Sequence, residues 1–306
     1  MPLDVSVIIP AYRAEATIGR ALRSVAAQTS PPREVIVVDD GSPDGTSATA
    51  EACRTGMGDI ALKVVRQQNA GAGAARNRAV REASSTFVAF LDADDEWLPE
   101  KLERSFEVME KKNLALVAHN YLAVETDGST SPANCAAIFR EGADPIVTLF
   151  RKGYLATATL ITRRDIVFQA GGFDEGLRNA QDFDLWLAIL GHGAVRFEVF
   201  DDILMRYHVT AGSITTNTGR RVRCCMEIAL RFAPGLKDRP GGIYRNLWLR
   251  TLIVHAEAVQ AHRTRGELLS ALAMLLRCPF AVLSATLKCL SKTGTTRPSF
   301  LSQEHM

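Results

Sequence analysis

The chain has few features of a cross-linked, dinucleotide-binding or nucleic-acid-binding protein. Six cysteines in 306 residues include no C-x-x-C pair and no His/Cys metal spacing, which excludes a zinc site or a disulfide framework read from spacing. Cys224 and Cys225 are adjacent, and neighbouring cysteines cannot bridge without strain. A reduced, intracellular protein is the expectation. The chain opens in strand-like sequence without a basic segment and cleavable apolar stretch, so no export is expected. A net charge of +2 gives no global argument for binding nucleic acid. Gly71-Ala72-Gly73 lacks the third glycine of a dinucleotide fingerprint. Residues 11–15, after the first strand, hold no glycine, unlike the loop a nucleotidyltransferase would need there. No uninterrupted apolar run of membrane-spanning length is present either. Residues 268–290 are apolar-rich, but Arg277, Pro279 and Lys288 interrupt them. Two amphipathic helices are expected there, packed on the rest of the fold or lying on a membrane surface.

What the chain does have is an ordinary globular composition, 47% hydrophobic and 23% charged. Its length suits one large α/β domain with a smaller appendage. Charge is uneven: 14 Lys/Arg against 5 Asp/Glu from Thr216 onward, and 22 against 29 before it. The basic tail is either ordinary surface or a segment that leans on anionic lipid.

Strand and helix signals alternate through the first half. Val5-Ser6-Val7-Ile8-Ile9, closed by Pro10, and Val35-Ile36-Val37-Val38 are β-branched runs of the kind buried in parallel sheets. Leu62-Lys63-Val64-Val65 and Phe87-Val88-Ala89-Phe90-Leu91 continue the series. Between them lie a helix with Ile18, Leu22 and Val25 on one face, a short helix after Thr46 and an Ala-rich helix opened by Gly71. Pro99 would be a first-turn proline for a helix through Lys111. Further strands are expected at Leu116–Val124, 156–161, 195–199 and 203–207, with a helix over 181–190 and helical structure from Asn217. This predicts an α/β fold: a mostly parallel, Rossmann-like sheet with helices on both faces and a C-terminal helical extension. Ligands would sit beyond the carboxyl ends of its strands.

Two of those strand ends are rich in carboxylates. Asp92-Ala93-Asp94-Asp95 follows the fourth strand, and in an extended segment Asp92 and Asp94 point to the same side. Carboxylates so close repel each other unless a positive charge lies near. A hard divalent cation, its ligand shell completed by substrate phosphates, fits that need. The same residues could instead turn or cap the chain before Pro99, a role that suits Asp95. Asp39-Asp40-Gly41-Ser42 follows the second strand, where a carboxylate can accept from a nucleobase N–H or a ribose hydroxyl. Gly41 would let the ligand approach the backbone; a plain Asx turn is the competing reading. The helix start after Gly71 favours an anion, with Arg76 adding a charge-assisted contact or simply packing. In the 181–190 helix, Phe183, Trp186, Leu187 and Leu190 form an apolar stripe with Asp182 and Asp184 on its margins.

Val5-Ser6-Val7-Ile8-Ile9-Pro10-Ala11-Tyr12, Val37-Val38-Asp39-Asp40-Gly41-Ser42, Ala75-Arg76-Asn77 and Phe90-Leu91-Asp92-Ala93-Asp94-Asp95-Glu96-Trp97 together resemble glycosyltransferase family 2, the inverting family of the GT-A fold. The resemblance covers roughly residues 4–215. Gly171-Gly172-Phe173-Asp174-Glu175 and then Ala180-Gln181-Asp182-Phe183-Asp184-Leu185-Trp186-Leu187 look like its acceptor-side motif. The resemblance implies a D-x-D motif at Asp92 and Asp94 that holds Mn2+ or Mg2+ against the donor diphosphate. It also implies a nucleoside bordered by Pro10, Tyr12, Asp39 and Asp40, with Arg76 and Asp92 on the nucleotide side. Asp182 would be the catalytic base, with N-capping as the competing reading; the family often writes Glu-Asp where this chain has Gln181-Asp182. Gln181, Trp186 and His208 would lie on the acceptor or phosphate side. The family's Tyr-Arg-x-His pattern is altered here to Tyr207-His208-Val209-Thr210, unless a one-residue shift brings in Arg206 and His208.

The implied organisation is a catalytic domain over 1–215, divided into a nucleotide-binding half (1–112) and an acceptor half (113–215), followed by a helical extension over 216–306. The implied reaction moves a sugar, with inversion, from a nucleotide diphosphate sugar (UDP foremost) to a hydroxyl of a saccharide or lipid-linked saccharide. Cell-surface polysaccharide or glycolipid synthesis in the cytoplasm, with peripheral membrane contact through the C-terminal helices, would suit it. The alternative is a sugar-nucleotide-binding scaffold that has lost transfer, a reading supported only by the departure after Tyr207.

Overall fold

The computed structural model describes residues 2–191, 195–209 and 217–291. The β-branched runs become β1 (Leu3–Ala11), β2 (Pro32–Asp39), β3 (Ala61–Arg66) and β4 (Phe87–Phe90), all parallel, in the order β3-β2-β1-β4. Alternate side chains feed two cores: Ile8, Ile36, Val38 and Phe90 on one face, Val7, Ile9, Val35 and Val37 on the other. The crossovers are α1 (Ile18–Ala26), α2 (Thr46–Ala52) and α3 (Ala72–Glu82). Ile18, Leu22 and Val25 of α1 join the second core, and Ala75, Ala79 and Val80 of α3 join the first. Helices therefore cover both faces.

Beyond β4 the sheet becomes mixed. A short β5 (Glu96–Trp97) leads into α4 (Lys101–Lys112), with Pro99 just outside its first turn. Then come β6 (Leu116–Val124), β7 (Thr130–Ala133), α5 (Cys135–Phe139), α6 (Pro145–Lys152), β8 (Ile161–Arg163), α7 (Arg164–Gln169), α8 (Gln181–Gly191) and β9 (Phe197–His208). The order continues β4-β8-β6-β9-β5, with β7 on β6. β1 to β4, β6 and β9 run one way, and β5, β7 and β8 run the other. The chain closes with α9 (Thr218–Phe232), α10 (Gly242–Thr264) and α11 (Leu268–Leu290). All six cysteines are free thiols.

β5, β7, α5, α6 and α7 are not among the expected elements, and three expected stretches differ in form. Residues 156–161 form a 3-10 turn at Thr157–Thr159 before the short β8, because Thr159 Oγ1 donates back to Ala156 O at 2.7 Å. The strands expected at 195–199 and 203–207 are one strand, β9, which bends where its pairing with β6 shifts around Asn120; the Asn120 amide donates to Asp201 O. The break expected within 268–290 does not occur. α11 runs through Pro279 and is long and apolar enough to cross a membrane by length and composition. Proline there leaves the Leu275 carbonyl without its helical donor, and Leu275 is on the exposed side of the helix.

Candidate active site

The register brings the carboxylate-rich ends together. Ala11 pairs with Asp39 and Ile8 with Phe90, so Tyr12, Asp40 and Asp92 follow β1, β2 and β4 at one end of the sheet. The strand order reverses at β1, the kind of position where open α/β sheets hold ligands. β8 is antiparallel to β4, so Thr157, just before β8, returns to the same end. β9 runs with β4 and finishes there at His208.

On the nucleotide side, both aspartates after β2 serve the loops. Asp39 is buried; it accepts from Ser42 N at 2.8 Å and from the Ser47 hydroxyl, with Arg66 Nε at 3.8 Å. Asp40 accepts from Gln67 Nε2, Ala70 N and Gly71 N at 2.8, 2.9 and 2.7 Å, which ties residues 67–71 to the sheet. Gly41, at φ +72°, is approached by this loop: a Cβ there would lie 3.0 Å from Asn69 N. The expected close approach at Gly41 is thus made by protein backbone. Pro10 is buried at the end of β1, while Tyr12 is 47% exposed beside Arg13. Tyr12 is therefore a solvent-exposed ring at this end, with the Arg13 guanidinium over it.

Asp92 to Asp95 form a tight turn, Asp95 N donating to Asp92 O at 3.1 Å, in place of the extended segment expected. Asp92 and Asp94 are half-buried and Asp95 is fully buried. Arg20 of α1 donates to the Asp94 carbonyl. Asp95 accepts from His208 N at 2.9 Å. Burial, with the charges of Asp92 and Asp94 beside it, pushes the Asp95 carboxyl well above the ordinary carboxylate range. Among the described residues no group of three His, Cys, Asp or Glu side chains forms a ready-made metal cage. Two half-buried carboxylates crowded against a third nevertheless fit a hard divalent cation whose remaining ligands are phosphate oxygens and water.

Arg76, on α3, lies at the centre. Its guanidinium is buried over the Phe173 ring at 5.4 Å and bonds Asp92 Oδ1 at 2.6 Å. Burial would lower its pKa, but Asp92, with Asp182 and Asp94 behind it, holds the pKa above the ordinary arginine value. Asp182 is half-buried in the first turn of α8. One carboxylate oxygen accepts from Thr157 Oγ1 at 2.9 Å and the other from Phe183 N at 2.8 Å. Ala180, just before α8, sits at φ 58°, an unusual backbone for alanine. Asp92 thus bonds Arg76, and the charges of Asp182 and Asp94 act on the same guanidinium.

Gln181 and Trp186, expected on the acceptor or phosphate side, are both buried. Gln181 is buried, donating to Leu177 O at 2.7 Å and packing against Gly73. Trp186 is 0% exposed, edge-to-face with Phe90 and Phe173. The apolar stripe that contains Trp186 is core packing. His208 does reach the site: its ring Nε2 is 3.4 Å from Glu96 Oε1, which also pairs with Arg206 at 3.0 Å. Arg206 and His208, two apart on β9, thus share one face and one carboxylate. Thr210 and the following Gly212-Ser213-Ile214-Thr215 lie outside the described residues.

Several side chains at the site carry no motif signal. Thr157 stood in a run that alternates like a strand. Arg20 stood on an amphipathic helix. Arg221, on α9, pairs with Glu257 at 3.2 Å and feels the charge of Asp182, yet in sequence it is one basic residue of a basic tail.

The chain is similar to known proteins over most of its length. The glucosyltransferase WfgD of Escherichia coli, named as a UDP-Glc:alpha-D-GlcNAc-diphosphoundecaprenol beta-1,3-glucosyltransferase, is 29% identical over 223 residues, covering 72% of this chain and 82% of that protein. The succinoglycan biosynthesis protein ExoO of Rhizobium meliloti (strain 1021) is 31% identical over 224 residues, 69% of this chain and 62% of that one. Among solved structures, S. aureus TarS 1-349 with UDP-GlcNAc superposes with a TM-score of 0.65 at 20% identity, over 96% of this chain and 91% of that chain. The mannosyltransferase PcManGT of Pyrobaculum calidifontis, with GDP-Man and Mn2+, gives 0.63 at 20% identity, over 95% and 88%. These two likenesses show the fold, which is GT-A. Residues 6–204 match the family described as Glycosyl transferase family 2, and the chain belongs to it.

Proposed function

We propose that this protein transfers a sugar, with inversion, from a nucleotide diphosphate sugar to a hydroxyl of a saccharide or lipid-linked saccharide. UDP is the first candidate for the nucleotide, and cell-surface polysaccharide or glycolipid synthesis on the cytoplasmic side of a membrane is the setting. The observation that carries this reading is the ion pair of buried Arg76 with Asp92 at the carboxyl ends of the strands, with the charges of Asp94 and Asp182 acting on the same guanidinium. Donor types named for WfgD, TarS and PcManGT support the donor class.

Tyr12 would stack on the nucleoside, and the 67–71 loop, fixed by Asp40, would form the wall of its pocket. Asp92 and Asp94 would hold Mn2+ or Mg2+, which supplies neutralisation of the diphosphate leaving group. Arg76, kept protonated by its carboxylates, adds fixed positive charge beside that group. Thr157 aims the Asp182 carboxylate. Asp182 then takes the proton from the acceptor hydroxyl as its oxygen attacks the anomeric carbon from the face opposite the diphosphate. A single displacement of this kind inverts the anomeric centre.

A thermal-shift screen of nucleotide sugars with and without Mn2+ identifies the donor, and Asp182→Asn then tests the base. The variant should keep its donor-induced shift while transfer falls by about a hundredfold or more. Undiminished transfer would remove Asp182 from this role. Donor binding without turnover by the unaltered chain, whatever acceptor is supplied, would favour a scaffold.

A further inference from the structure

The outer face of α11 reverses the usual distribution of side chains. The stripe it buries against α9 and α10 is mostly small: Ala271, Cys278 and Ala285, with Met274. Its large residues point outward, with Leu269 84% and Phe280 74% exposed, and Leu268, Leu276, Leu283 and Leu287 beside them. A helix whose outer face met only water would bury the leucines and show the small residues. α10 extends the same surface: Trp248 and Leu252 are exposed one turn apart, and Trp248 Nε1 donates to Thr286 Oγ1 at 2.9 Å. Contiguous apolar surface on this scale marks an interaction face.

Charge indicates what covers it. Between Leu268 and Leu290 there is no acidic residue, and the two charges present are Arg277 and Lys288, both exposed. A second copy docked with α11 on α11 would gain no ion pair from the residues of the face itself, since both of its charges are cationic. An anionic, apolar surface complements the face on both counts, and an exposed tryptophan suits the boundary between headgroups and acyl chains. Position points the same way. At the α10–α11 turn Arg265 donates to Thr218 Oγ1 at 2.7 Å, at the start of α9. Arg221, one turn on, feels Asp182. The apolar face thus begins at the turn that is tied to the start of α9.

We propose that the α10–α11 hairpin lies in the surface of an anionic phospholipid bilayer, Leu269, Leu276 and Phe280 among the acyl chains and Arg277 and Lys288 at the phosphates. The inference deepens the proposed function, on which it rests for its purpose: a lipid-carried acceptor would reach Asp182 without leaving the membrane. α11 lies along the bilayer, because α10 holds it to the protein body. Arg250 of α10 donates to Arg151 O at 3.1 Å, and Asn246 accepts from Arg151 Nε at 2.7 Å.

The test is co-sedimentation of the full chain with phosphatidylcholine vesicles, with and without phosphatidylglycerol, followed by an alkaline wash. The protein should sediment with the phosphatidylglycerol vesicles and leave them in the wash. Leu269→Asp with Phe280→Asp should weaken binding at least about tenfold. Arg277→Glu with Lys288→Glu should remove the preference for anionic lipid. Both variants should keep the thermal shift given by UDP and Mn2+, since the substituted residues are exposed. Sedimentation with neither vesicle overturns the proposal, as does retention after the wash, which would mean a crossing. Self-association broken by the Leu269 and Phe280 substitutions, with no lipid binding, overturns it in favour of a dimer. Vesicle binding by a protein with no response to any nucleotide sugar would sink the glycosyltransferase reading and leave the membrane face standing.

Discussion

Lys101, near the start of α4, is fully buried with its ammonium 4.0 Å from the centre of the Trp97 ring and no hydrogen-bond acceptor among the described residues. Ser105 Oγ, one turn on, and His119 Nε2 are likewise buried without partners. Donation from His119 Nδ1 to Asn120 O at 2.7 Å assigns the proton to that nitrogen. Burial, aided by the Lys101 charge, drops the His119 pKa to about 3, and burial alone puts Lys101 well below the ordinary lysine value. Between that lowered value and about 10.4, the unfolded chain holds a proton that the folded chain has released, so stability rises with pH across the interval. Below the interval both states are protonated and the full cost is present. Lys101→Met should therefore stabilise the protein at neutral pH by about 1–3 kcal/mol. It should also flatten the rise in Tm toward alkaline pH, read by thermal denaturation across that range. A lower Tm in the variant would mean that the Trp97 contact outweighs desolvation. Nothing in Glu100-Lys101-Leu102-Glu103 distinguishes this lysine from a surface residue, since burial is decided by strands that pair much later in the chain. Asp39 and Asp40 show the opposite limit. Their place at a strand end was legible, but their bonds depend on where residues 67–71 fold back.

Among the elements, α8 places the candidate base, and it is fixed at several points. Ala180 turns the chain into it at φ 58°, a conformation that costs alanine about 1 kcal/mol. Thr157 holds Asp182 at its start. Two residues further, Arg231 of α9 bonds Asp184 at 2.6 Å and, away from α8, Asp174 at 2.9 Å, all three side chains nearly shielded from solvent. Removing the cation would leave two buried carboxylates facing each other. Arg231→Met should cost about 3–5 kcal/mol, measured as a fall in the urea midpoint, and Asp184→Asn in the same chain should recover part of the loss. A cost below about 1 kcal/mol would show that solvent already screens the cluster. Strands with long β-branched runs were plain in the sequence because burial on both faces demands them. The 156–161 segment was misread because Ala156-Thr157-Ala158-Thr159 alternates like a strand, while the threonine hydroxyls bond locally and to Asp182. Pro279 misled for a different reason: the penalty of a mid-helix proline is set against packing along α10 that no local rule contains.

At the scale of the molecule, every motif of the site lies before residue 216, yet several of the groups that support those motifs come from beyond it. Ile228, Ala229 and Leu247 join the same core as Trp186 and Leu190. Arg250 sits 4.4 Å over the Phe183 ring, next to the candidate base. Arg239 pairs at 2.8 Å with Asp144, the residue that caps α6. Arg231 neutralises Asp174 and Asp184, and Arg221 pairs with Glu257 while feeling the charge of Asp182. A charge count registers these residues only as a basic tail, because their carboxylate partners lie up to 95 positions away along the chain. The extension is therefore bound into the fold of the motif-bearing part. Residues 1–215 expressed alone should lack cooperative thermal unfolding and give no nucleotide-dependent shift, whereas the full chain shows both. A soluble fragment that unfolds cooperatively and responds to a nucleotide sugar would make α9 to α11 an independent appendage. The buried acids at 174 and 184 would then need another cation in the place that Arg231 fills in the full chain.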